Sequence, residues 1–206
     1  LFWMIILFLN SEAYCKDNNI KYSKEDISNY FIGIVSANQD NTSSAFDHLN
    51  KVQYLKNRHD NFNVKFIRTL VLLGKFDEAF DFSKKVWVED ELFFETDLLL
   101  GLHSFIGKDY INAEKYFKRL NNIYRNNSIF DQFLGNILLS WTEASKNNKK
   151  KSFIYFDKIE DRYYNLKKIQ NSFLQCYFDT SETLNAFEKL IKDEDYTFSR
   201  YNFFFS

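Results

Sequence analysis

The sequence predicts an all-α chain built as a row of helical hairpins. Three observations carry this expectation. Ala45, Ala79 and Ala113 stand 34 residues apart. Proline is absent and glycine occurs only five times in 206 residues, so little in the chain would break a helix. Ser and Asp recur where apolar helical stripes should begin, as N-caps do.

The 34-residue interval is kept by further rows. Val52, Val86 and Leu120 share it, as do Ile32, Phe66 and Leu100. Gly33 and Gly101 are two intervals apart, with Ile67 between them. Several apolar rows in one register signal internal repetition. A small residue at 45, 79 and 113 lets the two helices of a hairpin approach closely. Ile32, Phe66 and Leu100 are expected to fill the space between helices. One hairpin cannot bury its apolar face alone, so neighbours must stack.

Taken in order, helices are expected over 24–38, 42–57, 61–73, 76–88, 91–106, 110–124, 129–146, 149–160, 162–178 and 181–192, with a further one starting near 196. Ser23-x-x-Asp26, Ser128-x-x-Asp131 and Asp179-x-x-Glu182 have the form of capping boxes. Asp60, Asp90 and Asp161 stand at other expected starts. After residue 127 the spacing changes. Phe156 and Ile159 follow Phe117 and Leu120 by 39 residues, which implies an insertion, most simply around Lys146–Lys151. Phe187 and Leu190 continue that pair.

The apolar run Leu1–Leu9 is expected to be a secretory-signal remnant, with Ser11 and Ala13 at the small-residue positions of a cleavage site. It is too short to span a bilayer, although an uncleaved anchor would be an alternative. The chain opens on Leu1 and ends within an apolar run, as a fragment of a longer protein would. The expected organisation is a signal remnant over 1–13 and a linker over 14–25. Repeat units follow over 26–59, 60–93 and 94–127. Two divergent hairpins occupy 128–161 and 162–206, the second carrying the start of a further helix. Cys15 and Cys176 show no metal or CxxC spacing. Cys176, within a helical pattern, is expected to be buried.

Local motifs add a family resemblance. Gly74-Lys75-Phe76-Asp77-Glu78-Ala79 resembles the turn and second-helix start of a tetratricopeptide repeat (TPR), and Gly107–Ala113 is a one-residue variant. Leu100-Gly101 resembles the Leu-Gly pair of the family's first helix, and Ile32-Gly33 matches more loosely. The resemblance is good over 26–127 and degenerate over 128–206. It implies a right-handed helical solenoid whose first helices line a concave face. On these positions that face comprises Tyr30, Val64 and Leu98, then Ile34, Arg68 and Leu102, then Ala37, Val71 and Phe105. The family usually ends its units with proline. Here helix ends must rely on caps and on Asn or Asp turns. The clamp some members use for acidic tails needs Lys, Asn and Arg. At the matching positions Tyr30, Ile34, Val64, Arg68, Leu98 and Leu102, only Arg68 is suitable.

No enzymatic constellation is recognisable. His48, His59 and His103 lack the spacing of a metal site, and no GxSxG, P-loop or GxGxxG occurs. The acidic pairs Asp77-Glu78 and Glu89-Asp90-Glu91 flank expected helix ends, where they offset the helix dipole. The lysines between Lys146 and Lys151 read as a solvated loop, or as a contact with an anionic membrane surface. Phe93-Phe94 and Tyr163-Tyr164 read as core. A net charge of −1 gives no electrostatic basis for nucleic acid. The chain is therefore expected to be a non-enzymatic scaffold without a cofactor, exported to the periplasm or cell envelope. Its expected partner is a protein or peptide. The alternative is a helical accessory region of a longer envelope enzyme.

Overall fold

The computed structural model describes residues 22–57, 59–122 and 131–192. Among these residues every regular element is helical. The α-helices are α1 (Lys24–Asn38), α2 (Thr42–Leu49), α3 (Asp60–Leu72), α4 (Phe76–Val86) and α5 (Phe94–Ile106), then α6 (Tyr110–Leu120), α7 (Asp131–Ser145), α8 (Lys149–Asp157), α9 (Tyr164–Tyr177) and α10 (Thr183–Lys192). The chain divides into two compact units, Leu1–Gln53 and Tyr54–Ser206. The first contains the hairpin α1–α2. The second contains α3–α4, α5–α6, α7–α8 and α9–α10. Within it, α4 also packs on α5 and α6 on α7, while α3 touches α5 and α7 touches α9.

The same turn closes all five hairpins. Asp40, Gly74, Lys108, Asn147 and Asp179 adopt left-handed conformations, with φ of 58°, 71°, 61°, 59° and 47°. The residue after each, Asn41, Lys75, Asp109, Asn148 or Thr180, donates its N–H back to the carbonyl of Ser36, Leu70, Ser104, Glu143 or Gln175 respectively. This is the Schellman arrangement, which satisfies carbonyls left open at a helix end. In three hairpins the next side chain caps the following helix. Asn41, Asp109 and Asn148 accept from the N–H groups of Ser44, Asn112 and Lys151. Left-handed turns and Asx caps thus do the work that proline does elsewhere. Ser23 and Asp26 form the expected capping box at the start of α1.

The small-residue row is the tightest part of each hairpin. Ala45, Ala79 and Ala113 are fully buried, and Ser152 occupies the same position in α8. In each case the N–H of this residue bonds the carbonyl of the residue that opens the helix: Asn41, Lys75, Asp109 and Asn148. Ala186, bonded to Glu182, is the fifth member. That register places Leu190, not Phe187, in line with Phe117 and Phe156. One turn further along the second helix, Leu49 and Phe117 close on glycines of the first helix. A Cβ on Gly33 would lie 2.6 Å from Leu49 Cδ2, and one on Gly101 would collide with the Phe117 ring.

Several expectations need correction. Ile32 does not fill the interior. It is 41% exposed, whereas Phe66 and Leu100 are 1% and 4% exposed. The buried face of α1 runs through Asn29, Gly33 and Ser36, and no described helix precedes α1 as α4 precedes and packs on α5. The helix expected over 42–57 ends at Leu49 and continues as a 3₁₀ segment, Asn50–Asn57, with Val52 outside helical geometry. Leu49, Val52 and Leu55 are all buried, and the segment kinks at Val52. The helix expected from 91 begins at Phe94, because carbonyls of the preceding segment are held by Arg119. Asp179 does not cap α10. It supplies the left-handed turn after α9, and α10 begins at Thr183.

The insertion does not lie around Lys146–Lys151, where the turn has the same geometry as the others. The extra residues precede it. α7 has 15 residues against 13 in α5, and the residues 123–130 before it lie outside the described ones. Cys176 is exposed rather than buried. Ser128 and the helix expected near 196 fall outside the described residues, as does the run Leu1–Leu9.

Candidate functional site

The nine residues expected on a concave face belong to both units. Tyr30, Ile34 and Ala37 lie on α1 and are half-buried. Val64, Arg68 and Val71 lie on α3. Leu98, Leu102 and Phe105 lie on α5. The α5 members are half-buried and pack against the cluster of Ala113, Phe117, Leu120, Leu139 and Tyr155. Phe105 also meets Tyr110 edge-on, with ring centroids 5.7 Å apart. These three are the flank of a core. Arg68, the single full charge of the set, is half exposed yet already engaged. Its Nε and one terminal nitrogen donate to Glu95 Oε1 at 3.1 and 2.7 Å, and Glu95 is buried.

An open groove of about 770 Å³ lies beside Val64 in the second unit. The start of α3 contributes Asp60, Asn63 and Val64, and the preceding 3₁₀ segment contributes Lys56. The end of α4 contributes Lys85 and Val86. The connector to α5 contributes Val88, Glu91, Leu92 and Phe93. Val88 and Leu92 are about half exposed, at 47% and 48%, although both are aliphatic. Asn63 is buried. Its amide donates to the Lys56 carbonyl at 2.8 Å, while its Oδ1 accepts no hydrogen bond. The groove therefore combines five apolar side chains with two cations, two anions and one amide, and the surface it exposes is more polar than apolar.

A buried polar knot fixes the connector that forms one wall. Asp97, fully buried on α5, accepts from Trp87 Nε1 at 2.9 Å and from Arg119 Nε at 2.8 Å. The terminal nitrogens of Arg119 donate to the carbonyls of Val88, Glu89 and Glu91. Its guanidinium also lies 5.0 Å from the Trp87 ring centre. Burial pushes the Asp97 carboxyl above its ordinary value, against the hydrogen bonds from Trp87 and Arg119. Removing Arg119 would leave a buried acid without its cation, typically a loss of about 3–5 kcal/mol.

A second knot lies where α6, α7 and α8 meet. Lys146 and Lys151 each reach both Glu114 and Glu143, at distances from 2.5 to 3.0 Å, and Glu143 is fully buried. Lys118 adds a third cation to Glu114 at 2.7 Å. Burial acts to raise Glu114, but the three lysines outweigh it and hold the carboxyl well below the usual range. The expectation of a solvated lysine loop therefore fails for Lys146 and Lys151, which are held by the buried Glu143 and the half-buried Glu114. Lys149 and Lys150 do face solvent.

The remaining candidates are structural. His48 bonds Asn29 at 2.8 Å, His103 sits 4.6 Å from the Phe80 ring centre, and His59 precedes α3. Among the described residues no cluster of His, Cys, Asp and Glu could hold a metal ion. No described helix is long and apolar enough to cross a membrane. Asp77 and Glu78 lie in the first turn of α4, and Glu89 pairs with Lys115 at 2.7 Å. Tyr163 is buried, but Tyr164 is exposed.

Of the groove residues, the concave-face reading found only Val64. It considered first helices alone, whereas the groove also uses the end of a second helix and the connector. The usable signal was aliphatic Val88 and Leu92 flanking Glu89-Asp90-Glu91, a pattern that fits neither helix nor core. Comparison of the chain with family models, with curated proteins and with solved structures finds no match.

Proposed function

We propose that this chain is a non-enzymatic interaction scaffold of the tetratricopeptide-repeat type, with its hairpins wound as a solenoid. In this reading it is exported to the periplasm or cell envelope, and the groove beside Val64 takes an apolar or amphipathic peptide segment. The observation that carries the binding role is the half-exposed aliphatic lining at Val88 and Leu92, held open by a connector that Arg119 pins in place. Apolar surface kept in a concave, fixed site is the usual form of a recognition groove. Its mixed rim charges favour a segment with both signs, and Arg68 contributes less because Glu95 already occupies it. The TPR assignment rests on the common turn, the row of Ala45, Ala79 and Ala113, and the Gly–Lys turn motifs.

The test is selection of peptides on the full chain from a random library. Selected peptides should carry an apolar anchor. They should bind at least about tenfold more weakly to Leu92→Lys and Val64→Asp variants with unchanged circular dichroism. Equal binding by both variants would reject the groove. Leu98 and Phe105 are unsuitable positions for this test, because they pack on the core. For export, expression behind a basic N-terminal extension should yield an envelope product that starts near Tyr14. An intact cytoplasmic product would remove that assignment.

A further inference from the structure

Two hairpin turns place an asparagine in the same setting. Asn41 and Asn148 each follow a left-handed residue, Asp40 with φ of 58° and Asn147 with φ of 59°. Each donates its backbone N–H across the turn, to the carbonyls of Ser36 and Glu143. Each side-chain oxygen caps the next helix. Asn41 Oδ1 accepts from the N–H of Ser44 at 3.3 Å, and Asn148 Oδ1 from that of Lys151 at 3.2 Å. With the oxygen fixed by the cap, the amide nitrogen is the atom left over.

The two nitrogens differ in what they meet. Asn148 Nδ2 donates to Glu143 Oε2 at 3.1 Å, and Glu143 is fully buried. Asn41 is exposed, and among the described residues no group accepts from its Nδ2. The local sequences differ as well. Asn41-Thr42-Ser43 has a hydroxyl two residues on and no proline between, the pattern of an N-glycosylation acceptor on a surface loop. Asn148-Lys149-Lys150 lacks the hydroxyl. Ser43 is exposed and its hydroxyl bonds no other described residue, whereas the next hydroxyl, Ser44 Oγ, lies 3.0 Å from Ser36 Oγ.

We infer that Asn41, on the turn of the first hairpin, is an N-glycosylation site. In the transfer, Asn41 Nδ2 bonds to the anomeric carbon of an oligosaccharide carried on a lipid diphosphate. The bond from that carbon to the phosphate oxygen breaks, the diphosphate leaves with the electron pair, and Nδ2 gives up one proton. The product keeps the amide oxygen, so the cap on Ser44 survives. The modified nitrogen takes no part in the packing of α1 on α2, which rests on Gly33, Ala45 and Leu49. A bulky, solubilising group at this turn therefore displaces no buried contact. Transfer of this kind acts on chains that enter an export route, so the inference rests on the export reading given above. It shares no residue with the groove beside Val64.

The test is expression of the full chain in a eukaryotic secretory host behind a supplied secretory signal, so that entry does not depend on Leu1–Leu9. Asn126-Asn127-Ser128 has the same pattern but lies outside the described residues, and an Asn126→Gln background leaves Asn41 as the single acceptor pattern. The product should lose one discrete increment of mass on digestion with peptide N-glycosidase, with aspartate left at position 41. Asn41→Gln and Ser43→Ala should each abolish the increment, and Ser43→Thr should keep it. An acceptor tripeptide added after Ser206 reports entry into the compartment. A modified tag beside a bare Asn41 overturns the proposal, as does an increment that survives Ser43→Ala. Urea unfolding before and after digestion should give the same midpoint. A midpoint that rises on digestion would show that the sugar disturbs the turn, and would overturn the site in the folded protein. If this host modifies Asn41 while the chain with its own N-terminal run stays in the cytoplasm, the acceptor site stands and the export reading alone is rejected.

Discussion

Hairpins α3–α4 and α5–α6 meet the same packing requirement with the bulk on opposite helices. In α5–α6 the first helix offers Gly101 and the second fills the space with Phe117, which is fully buried. At the same register in α3–α4 the first helix carries Ile67 and the second Ser83, again both buried. Hairpin α1–α2 follows the α5–α6 solution with Gly33 and Leu49. At this register the bulk thus sits on the second helix in two hairpins and on the first helix in α3–α4.

The largest test breaks that balance in α5–α6. Phe117→Ser removes a fully buried ring opposite a glycine that cannot fill the gap, and should cost about 3–5 kcal/mol. Gly101→Ile alone should also destabilise strongly, because even a Cβ collides with the ring. The double variant recreates the Ile–Ser pair of α3–α4 and should recover much of the loss. Urea unfolding of the four proteins gives the coupling directly. Additive losses would show that the two positions do not share one space. Hydrogen exchange should accompany it, because repeat arrays can loosen locally before they unfold.

A smaller effect is expected where the two hairpins are the same. Ala79 and Ala113 are both fully buried small residues at the closest approach of paired helices. Ala79→Leu should destabilise by about 1–3 kcal/mol through overpacking. Lys84→Leu, at an exposed position of the same helix, should be close to neutral. Matching melting shifts for the two changes would refute the register.

These contrasts mark what could be read from the sequence. Periodicity revealed the hairpins, and cap chemistry placed α1 correctly at both ends, because both are local properties. Ile32 was misplaced because identity at a repeat interval does not say which face a helix turns inward. Leu100 stays buried beside the equivalent Gly101 in α5, on which α4 packs, whereas no described helix precedes α1. Lys146 and Lys151 were read as a loop because one of their two partners, Glu114, is distant in sequence, and the other, Glu143, is buried only through tertiary packing. Glu114 lies 32 residues before Lys146. The connector Trp87–Phe93 was mostly assigned to the two flanking helices because its conformation depends on Arg119, some 30 residues on. The groove was missed for the same reason.

The finest distinction between the hairpins is electrostatic. The fully buried acid Asp97 and the lysine-bound Glu114 both belong to α5–α6. Their responses to acid should be opposite. The folded-state pKa of Glu114 is lowered, so its stabilisation is complete above the ordinary carboxylate range and is lost progressively as pH falls from there towards the lowered folded value. The folded-state pKa of Asp97 is raised, so its contribution is complete below its ordinary value and is lost as pH rises through the raised one. Melting temperatures between about pH 7 and about pH 3 separate the two. Glu114→Gln should flatten the fall in stability on acidification, because it removes a group that loses stabilisation there. Asp97→Asn should steepen it, because it removes a group that gains. Parallel profiles for the Glu114 and Asp97 variants would mean that acid acts elsewhere in the chain, and that the two knots are electrostatically alike.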